Sequence, residues 1–143
     1  MANWVDVPPE SVEQILQQTK TIAVVGLSRR PWRASHSVSE YMQQAGYCII
    51  PVNPHETMVL NEKSYPTLEE VPVQVDLVNI FRRSEYVRPI VESAIRIGAK
   101  AIWMQETVED ADAAQVARHA GLAVIMDCCI MREHARWLRQ RNA

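Results

Sequence analysis

The chain has 143 residues, 48% hydrophobic and 22% charged, with a formal net charge of −2. That length suits one domain, 1–143, with a core that needs no disulfide or metal. The balance of charge provides no basic field for nucleic acid or anionic membranes, and no apolar run reaches the roughly 20 residues that span a bilayer. The first residues, Met1-Ala-Asn-Trp-Val-Asp6, lack the basic and apolar regions of a secretory signal, and the three cysteines are an odd number. The expectation is a cytoplasmic protein with no nucleic-acid or membrane partner.

Pro8 and Pro9 can open a helix that runs through Gln18. Thr21–Val25 is a short apolar run and reads as strand 1, entering the loop Gly26-Leu-Ser-Arg-Arg-Pro31. A helix begins near Ser35, with Val38, Tyr41, Met42 and Ala45 on one face and Gly46 as its stop. Tyr47–Val52 is strand 2 and ends in Asn53-Pro54. Thr67-Leu-Glu-Glu70 fits a capping box on a very short helix. Val75–Ile80 is strand 3, running into Phe81-Arg-Arg83, and Val87, Ile90, Val91, Ala94 and Ile95 share a helical face after it. Lys100–Met104 is strand 4, ending at Gln105-Glu106, and Ala113, Val116, Ala117 and Ala120 form a small-residue stripe on the next helix. Leu122–Met126 is strand 5, Asp127-Cys-Cys129 follows, and Ile130–Gln140 forms a terminal helix.

These strands are rich in Val and Ile and rarely alternate with polar residues, so both faces of their sheet are covered. Strands alternating with helices predict an α/β fold, a three-layer α/β/α Rossmann-like domain with right-handed crossovers. The expected parallel sheet has five strands in the order 3-2-1-4-5, with a ligand crevice above the carboxyl ends of strands 1 to 4.

The chemistry therefore has to come from the strand ends. Gly26 stands alone, so the first loop is not G-x-G-x-x-G. It either makes a tight turn or lets backbone N–H groups approach a phosphate, with Ser28 and Ser35 as hydroxyl donors or Ser35 as a helix cap. An NAD site wants an acid at the end of strand 2; here no carboxylate appears until Glu56, and no arginine suited to NADP follows directly. Two arginine pairs, Arg29-Arg30 and Arg82-Arg83, with Arg33 beside them, occupy two predicted strand ends. Converging there, they suit a polyanionic ligand better than a solvated face.

Cys128-Cys129 is not C-x-x-C, and no metal site is expected. Either thiol could form a mixed disulfide with a thiol ligand; a small strand-end packing role is the plainer reading. His36, His55, His119 and His134 lack ligand-like spacing and are assigned surface or capping roles. No catalytic constellation emerges.

Five segments recur together in order: Ile22-Ala-Val-Val-Gly-Leu-Ser28, Tyr47-Cys-Ile-Ile-Pro-Val-Asn-Pro54, Val78-Asn-Ile-Phe-Arg-Arg83, Gly98-Ala-Lys-Ala-Ile-Trp-Met-Gln105 and Met126-Asp-Cys-Cys129. Over about residues 15–138 the chain resembles the small stand-alone CoA-binding proteins, relatives of the CoA-binding domain of the succinyl-CoA synthetase alpha subunit. The resemblance implies coenzyme A as the ligand. It places Gly26, Ser28, Arg29, Arg30 and Pro31 at the pantetheine and phosphates. Asn53 and Pro54 would border the adenosine, Phe81 and Arg82 the third strand end, and Met104, Gln105 and Glu106 the fourth. Relatives often carry a basic residue after the Asn-Pro turn, where this chain has His55-Glu56, and an Arg where it has Cys128.

The function expected is binding of CoA or an acyl-CoA by a non-catalytic carrier, sensor or regulatory module. Behind it stands an enzyme acting on a CoA thioester or CoA disulfide through Cys128 or Cys129, and then an NAD(P)-binding redox domain. Trp4, Trp32, Trp103 and Trp137 offer a homodimer or partner surface, with Trp103 assigned to the core.

Overall fold

The computed structural model describes residues 11–142. Pro8, Pro9 and Trp4 lie outside them. The first helix, α1 (Val12–Gln18), is capped by Ser11, whose hydroxyl accepts the Gln14 N–H at 3.1 Å.

Five strands follow the expected runs, shortened at their ends: β1 (Thr21–Val25), β2 (Cys48–Val52), β5 (Leu77–Ile80), β6 (Ala101–Met104) and β7 (Ala123–Ile125). Between them stand α2 (Ala34–Gln44), α3 (Val87–Arg96) and α4 (Ala111–His119), and α5 (Ile130–Arg141) closes the chain. Side chains alternate across each strand, and here both sets are apolar but for Thr21 and the buried Asn79. Ile22 and Val24 of β1 pack with α1, α2 and α5, together with Leu77, Ala101 and Trp103. Ala23 and Val25 face the other way, onto α3 and α4, with Val78, Ile80, Ile102 and Met104. Trp103 is fully buried, as expected. Ala113, Ala114 and Ala117 are fully buried too, so the small-residue face of α4 lets the helix lie close against its layer.

The strand order is β2-β1-β5-β6-β7, all parallel. This corrects one expectation. In the order 3-2-1-4-5 the third strand lies outside β2; in the structure it pairs with β1, Ile22 opposite Leu77 and Val25 opposite Ile80. The reason is the path of residues 53–76. Instead of a second helix on the α2 face, this stretch carries Leu68, buried in the α3/α4 layer. A right-handed crossover on that opposite face must run back past β1. Asp76 then fixes the pairing: its carboxylate accepts the Lys20 and Thr21 N–H groups, each at 3.0 Å.

The same stretch holds a two-stranded hairpin that was not anticipated, β3 (Met58–Val59) with β4 (Glu62–Lys63). Leu60 and Asn61 make its turn with φ of 54° and 63°. Thr67-Leu-Glu-Glu70 forms a 3₁₀ turn at Leu68–Glu70, and the Thr67 hydroxyl bonds the Glu70 carboxylate at 3.0 Å rather than a backbone group. A second 3₁₀ turn, Ser84–Tyr86, leads into α3.

His134 departs from the surface role assigned to it. It is 4% exposed, bonded through Nδ1 to the Tyr41 hydroxyl at 2.9 Å and packed edge-on against Tyr41, Tyr47 and Trp137. Burial holds its pKa below the usual histidine value. On α5 the imidazole supplies the ring against which Tyr41 and Tyr47 pack.

Candidate functional site

In this order the chain leaves β1 towards β2 on one face and β5 towards β6 on the other. The switch point lies between β1 and β5, and a crevice opens above their carboxyl ends. Gly26 and Phe81 meet there. Gly26 has φ +92° and donates its N–H to Val52 O at 2.9 Å, while Phe81 N–H bonds Val25 O at 2.9 Å. A Cβ on residue 26 would lie 2.5 Å from the Phe81 carbonyl oxygen. Only glycine lets these two strand ends come so close.

Short polar side chains brace the first loop. Ser35 Oγ accepts the Ser28 N–H and Ser28 Oγ accepts the Arg30 N–H, each at 3.1 Å. Ser35 thus ties the loop rather than capping its own helix, for α2 has no side-chain cap. Asn53, buried at the end of β2, donates from Nδ2 to Leu27 O at 3.1 Å and accepts His55 N–H at 3.0 Å. Its carboxamide stitches the second strand end to the first loop.

Above these braces lies a cavity of about 440 Å³. Gly26, Ser28, Arg30, Arg33, Ala34, Ser35, Asn53, His55, Glu56, Phe81 and Arg82 line it. Arg30, Arg33 and Arg82 make no ion pair with a carboxylate among the described residues. Ala34 and Ser35 are the first residues of α2, where backbone N–H groups lack helical partners and the dipole favours an anion. Three guanidiniums and a helix start are the donor set of a phosphate site.

Ala34, Phe81 and Arg82 also border a second cavity of about 500 Å³. It runs under the ends of β5 and β6, with Val38, Val108, Gln105 and Cys129 in its walls. Gln105 Nε2 donates to Asn79 Oδ1 at 2.7 Å, both side chains buried. Thr107 has φ +73° and is held by the Asp127 carboxylate, which accepts its N–H at 2.7 Å. Glu106 is paired with Arg132 of α5. Cys128 and Cys129 are free thiols. Burial first, and the Glu133 and Asp127 carboxylates next, push the Cys128 thiol up, which keeps it protonated.

Of the residues singled out in the sequence, Gly26, Ser28, Arg30, Ser35, Asn53, Phe81 and Arg82 line the first cavity, and Gln105 and Glu106 the second. Four stand elsewhere. Met104 is fully buried in the α3/α4 layer, because alternation along β6 turns it inward. Pro31 and Pro54 are exposed and line neither cavity. Arg29 is 69% exposed and paired with Glu56. Arg33, Ala34, His55, Glu56 and Cys129 also line the cavities, although none was placed among the ligand-contacting residues from the sequence. Glu56 had a signal there as the lone carboxylate after strand 2, and Cys129 as a thiol that could meet a thiol ligand.

A family model described as a CoA binding domain matches residues 20–135, which include the whole sheet and the lining of both cavities. The chain belongs to the CoA binding domain family. The Bacillus subtilis (strain 168) uncharacterized protein YneT is 45% identical over 124 residues, 87% of this chain and 92% of that one. A hypothetical protein from Pyrococcus horikoshii OT3 superposes with a TM-score of 0.87 at 36% identity, covering 96% of this chain and 95% of that one. The alpha subunit of the ADP-forming acetate–CoA ligase II of Pyrococcus furiosus is 26% identical over 127 residues, 80% of this chain but 28% of the subunit. The CoA binding domain here is thus similar both to small proteins of its own length and to one part of a ligase subunit. Among the described residues no helix is long and apolar enough to cross a membrane.

Proposed function

We propose that this protein binds coenzyme A, or an acyl-CoA, in the cleft above β1, β2, β5 and β6, as a non-catalytic carrier, sensor or regulatory module. One observation carries the reading: Arg30, Arg33 and Arg82, without carboxylate partners among the described residues, line one cavity beside the start of α2, which has no side-chain cap. The phosphates sit among Arg30, Arg33 and Arg82, and Asn53 borders the adenosine side. The pantetheine arm runs past Phe81 into the second cavity, where the side walls are partly apolar and Gln105 offers its carboxamide. The family supports the same ligand.

Calorimetric titration of the reduced protein with CoA, with NAD and ADP in parallel, tests the proposal. Saturable CoA binding, tighter than that of ADP, is expected. Binding of NAD with no response to CoA would overturn it.

A second reading rests on Cys129, which lines the second cavity. There it could act on a CoA thioester or disulfide. Loss of a measurable turnover in Cys129→Ser, with binding kept, would favour that enzyme over the binding module.

A further inference from the structure

The first cavity contains one acid, and it is not idle. Glu56 Oε2 accepts the backbone N–H of Arg29 at 2.9 Å, and Oε1 lies 3.6 Å from Arg29 Nε. The Glu56 side chain is 8% exposed although its partner's is 69% exposed. The carboxylate is therefore tucked under the first loop, docked on a backbone N–H of the kind that phosphates use. It shares the cavity with Arg30, Arg33 and Arg82.

Arg29 already offsets the Glu56 charge, so Arg30, Arg33 and Arg82 stand as three cations for a ligand. A doubly esterified diphosphate carries two negative charges, one on each phosphorus. A terminal phosphomonoester adds between one and a half and two further negative charges near neutrality. Together the two groups outnumber the three cations, and the monoester meets a fixed carboxylate in the cavity wall.

We propose that Glu56 determines which phosphates this cleft accepts, admitting the esterified diphosphate of a nucleotide and disfavouring an additional phosphomonoester. This rests on the CoA-site reading and narrows its ligand class to diphosphate-diester nucleotides, of which dephospho-CoA is the simplest with a pantetheine arm. Glu56 acts by charge, while its hydrogen bond to Arg29 N–H shapes the loop. Glu56→Gln separates the two roles, since the amide oxygen can still accept from Arg29 N–H.

The experiment is calorimetry of the wild-type protein and Glu56→Gln with CoA and dephospho-CoA. The wild type is expected to bind dephospho-CoA at least as tightly as CoA. In Glu56→Gln the CoA affinity should rise about tenfold, the scale of one removed repulsion in a partly buried site, while dephospho-CoA changes little. A wild type that prefers CoA about tenfold, with the ratio unmoved in Glu56→Gln, overturns the proposal. If CoA binds no better than ADP, the CoA reading fails, and ADP against ADP-ribose supplies the same monoester-to-diester comparison. A ratio that shifts between wild type and variant then upholds the role of Glu56, and an unmoved ratio, or no binding by any of the four, overturns it.

Discussion

Gly26 and Phe81 touch backbone to backbone: no Cβ fits at residue 26, because it would stand 2.5 Å from the Phe81 carbonyl oxygen. This contact joins the ends of β1 and β5, the two strands between which the cleft opens. Gly26→Ala must both adopt φ near +92° and push Phe81 away. We expect a loss of about 2 kcal/mol in stability, read as a lower urea midpoint, together with weakened CoA binding.

Arg82 borders both cavities, so it can reach a ligand wherever its phosphates lie along the cleft. Arg82→Ala should weaken CoA binding about tenfold to a hundredfold, the worth of a charge-assisted hydrogen bond. Arg29→Ala, from a largely exposed side chain already paired with Glu56, should change it less than about threefold. Calorimetry of both variants at one salt concentration checks the contrast. Equal losses would remove the assignment of Arg82.

The buried pair Asn79–Gln105 spans β5 and the end of β6. Gln105→Met leaves Asn79 Oδ1 without its 2.7 Å donor in a buried place. A destabilisation of about 1–3 kcal/mol is expected. Adding Asn79→Leu should recover part of it, and a double-mutant cycle in urea measures the coupling.

His134 gives the stability a pH dependence of known sign. Burial lowers its folded-state pKa below the ordinary histidine value of about 6.5, so the unfolded chain binds the proton more readily. Its contribution is complete above about pH 6.5 and is lost as pH falls from there towards the lower folded pKa. Melting temperature should therefore fall between pH 7 and pH 5 more steeply in the wild type than in His134→Gln. At the alkaline end Tyr47, pushed up to about 12 mainly by burial, behaves in the opposite sense. It donates to Leu16 O at 2.7 Å, and its stabilisation is full below about pH 10 and fades as pH rises towards 12.

Much of the site was legible because its residues follow strands. Once Thr21–Val25 and Val75–Ile80 are read as buried strands, Gly26, Arg30 and Arg82 must emerge at one rim. Glu56 and His134 were read less well. Each is polar, and its place depends on what approaches from a distant part of the chain: Arg29 lies 27 positions before Glu56, and Tyr41 lies 93 before His134. Met104 shows the converse error. It sits at a strand end, yet alternation sends its side chain into the α3/α4 layer.

The sequence by itself determined the five apolar strands, the helices between them, the parallel sheet and the arginine-bearing loops. Those depend on local patterns of apolar spacing and on turn residues, which neighbours along the chain settle. Strand order was decided only in the tertiary structure. Residues 53–76 could cross on either face of the sheet until Leu68 found a place in the α3/α4 layer and Asp76 bound the amides of Lys20 and Thr21. That choice set β5 against β1, and with it the pairing of Gly26 and Phe81 beneath the cleft.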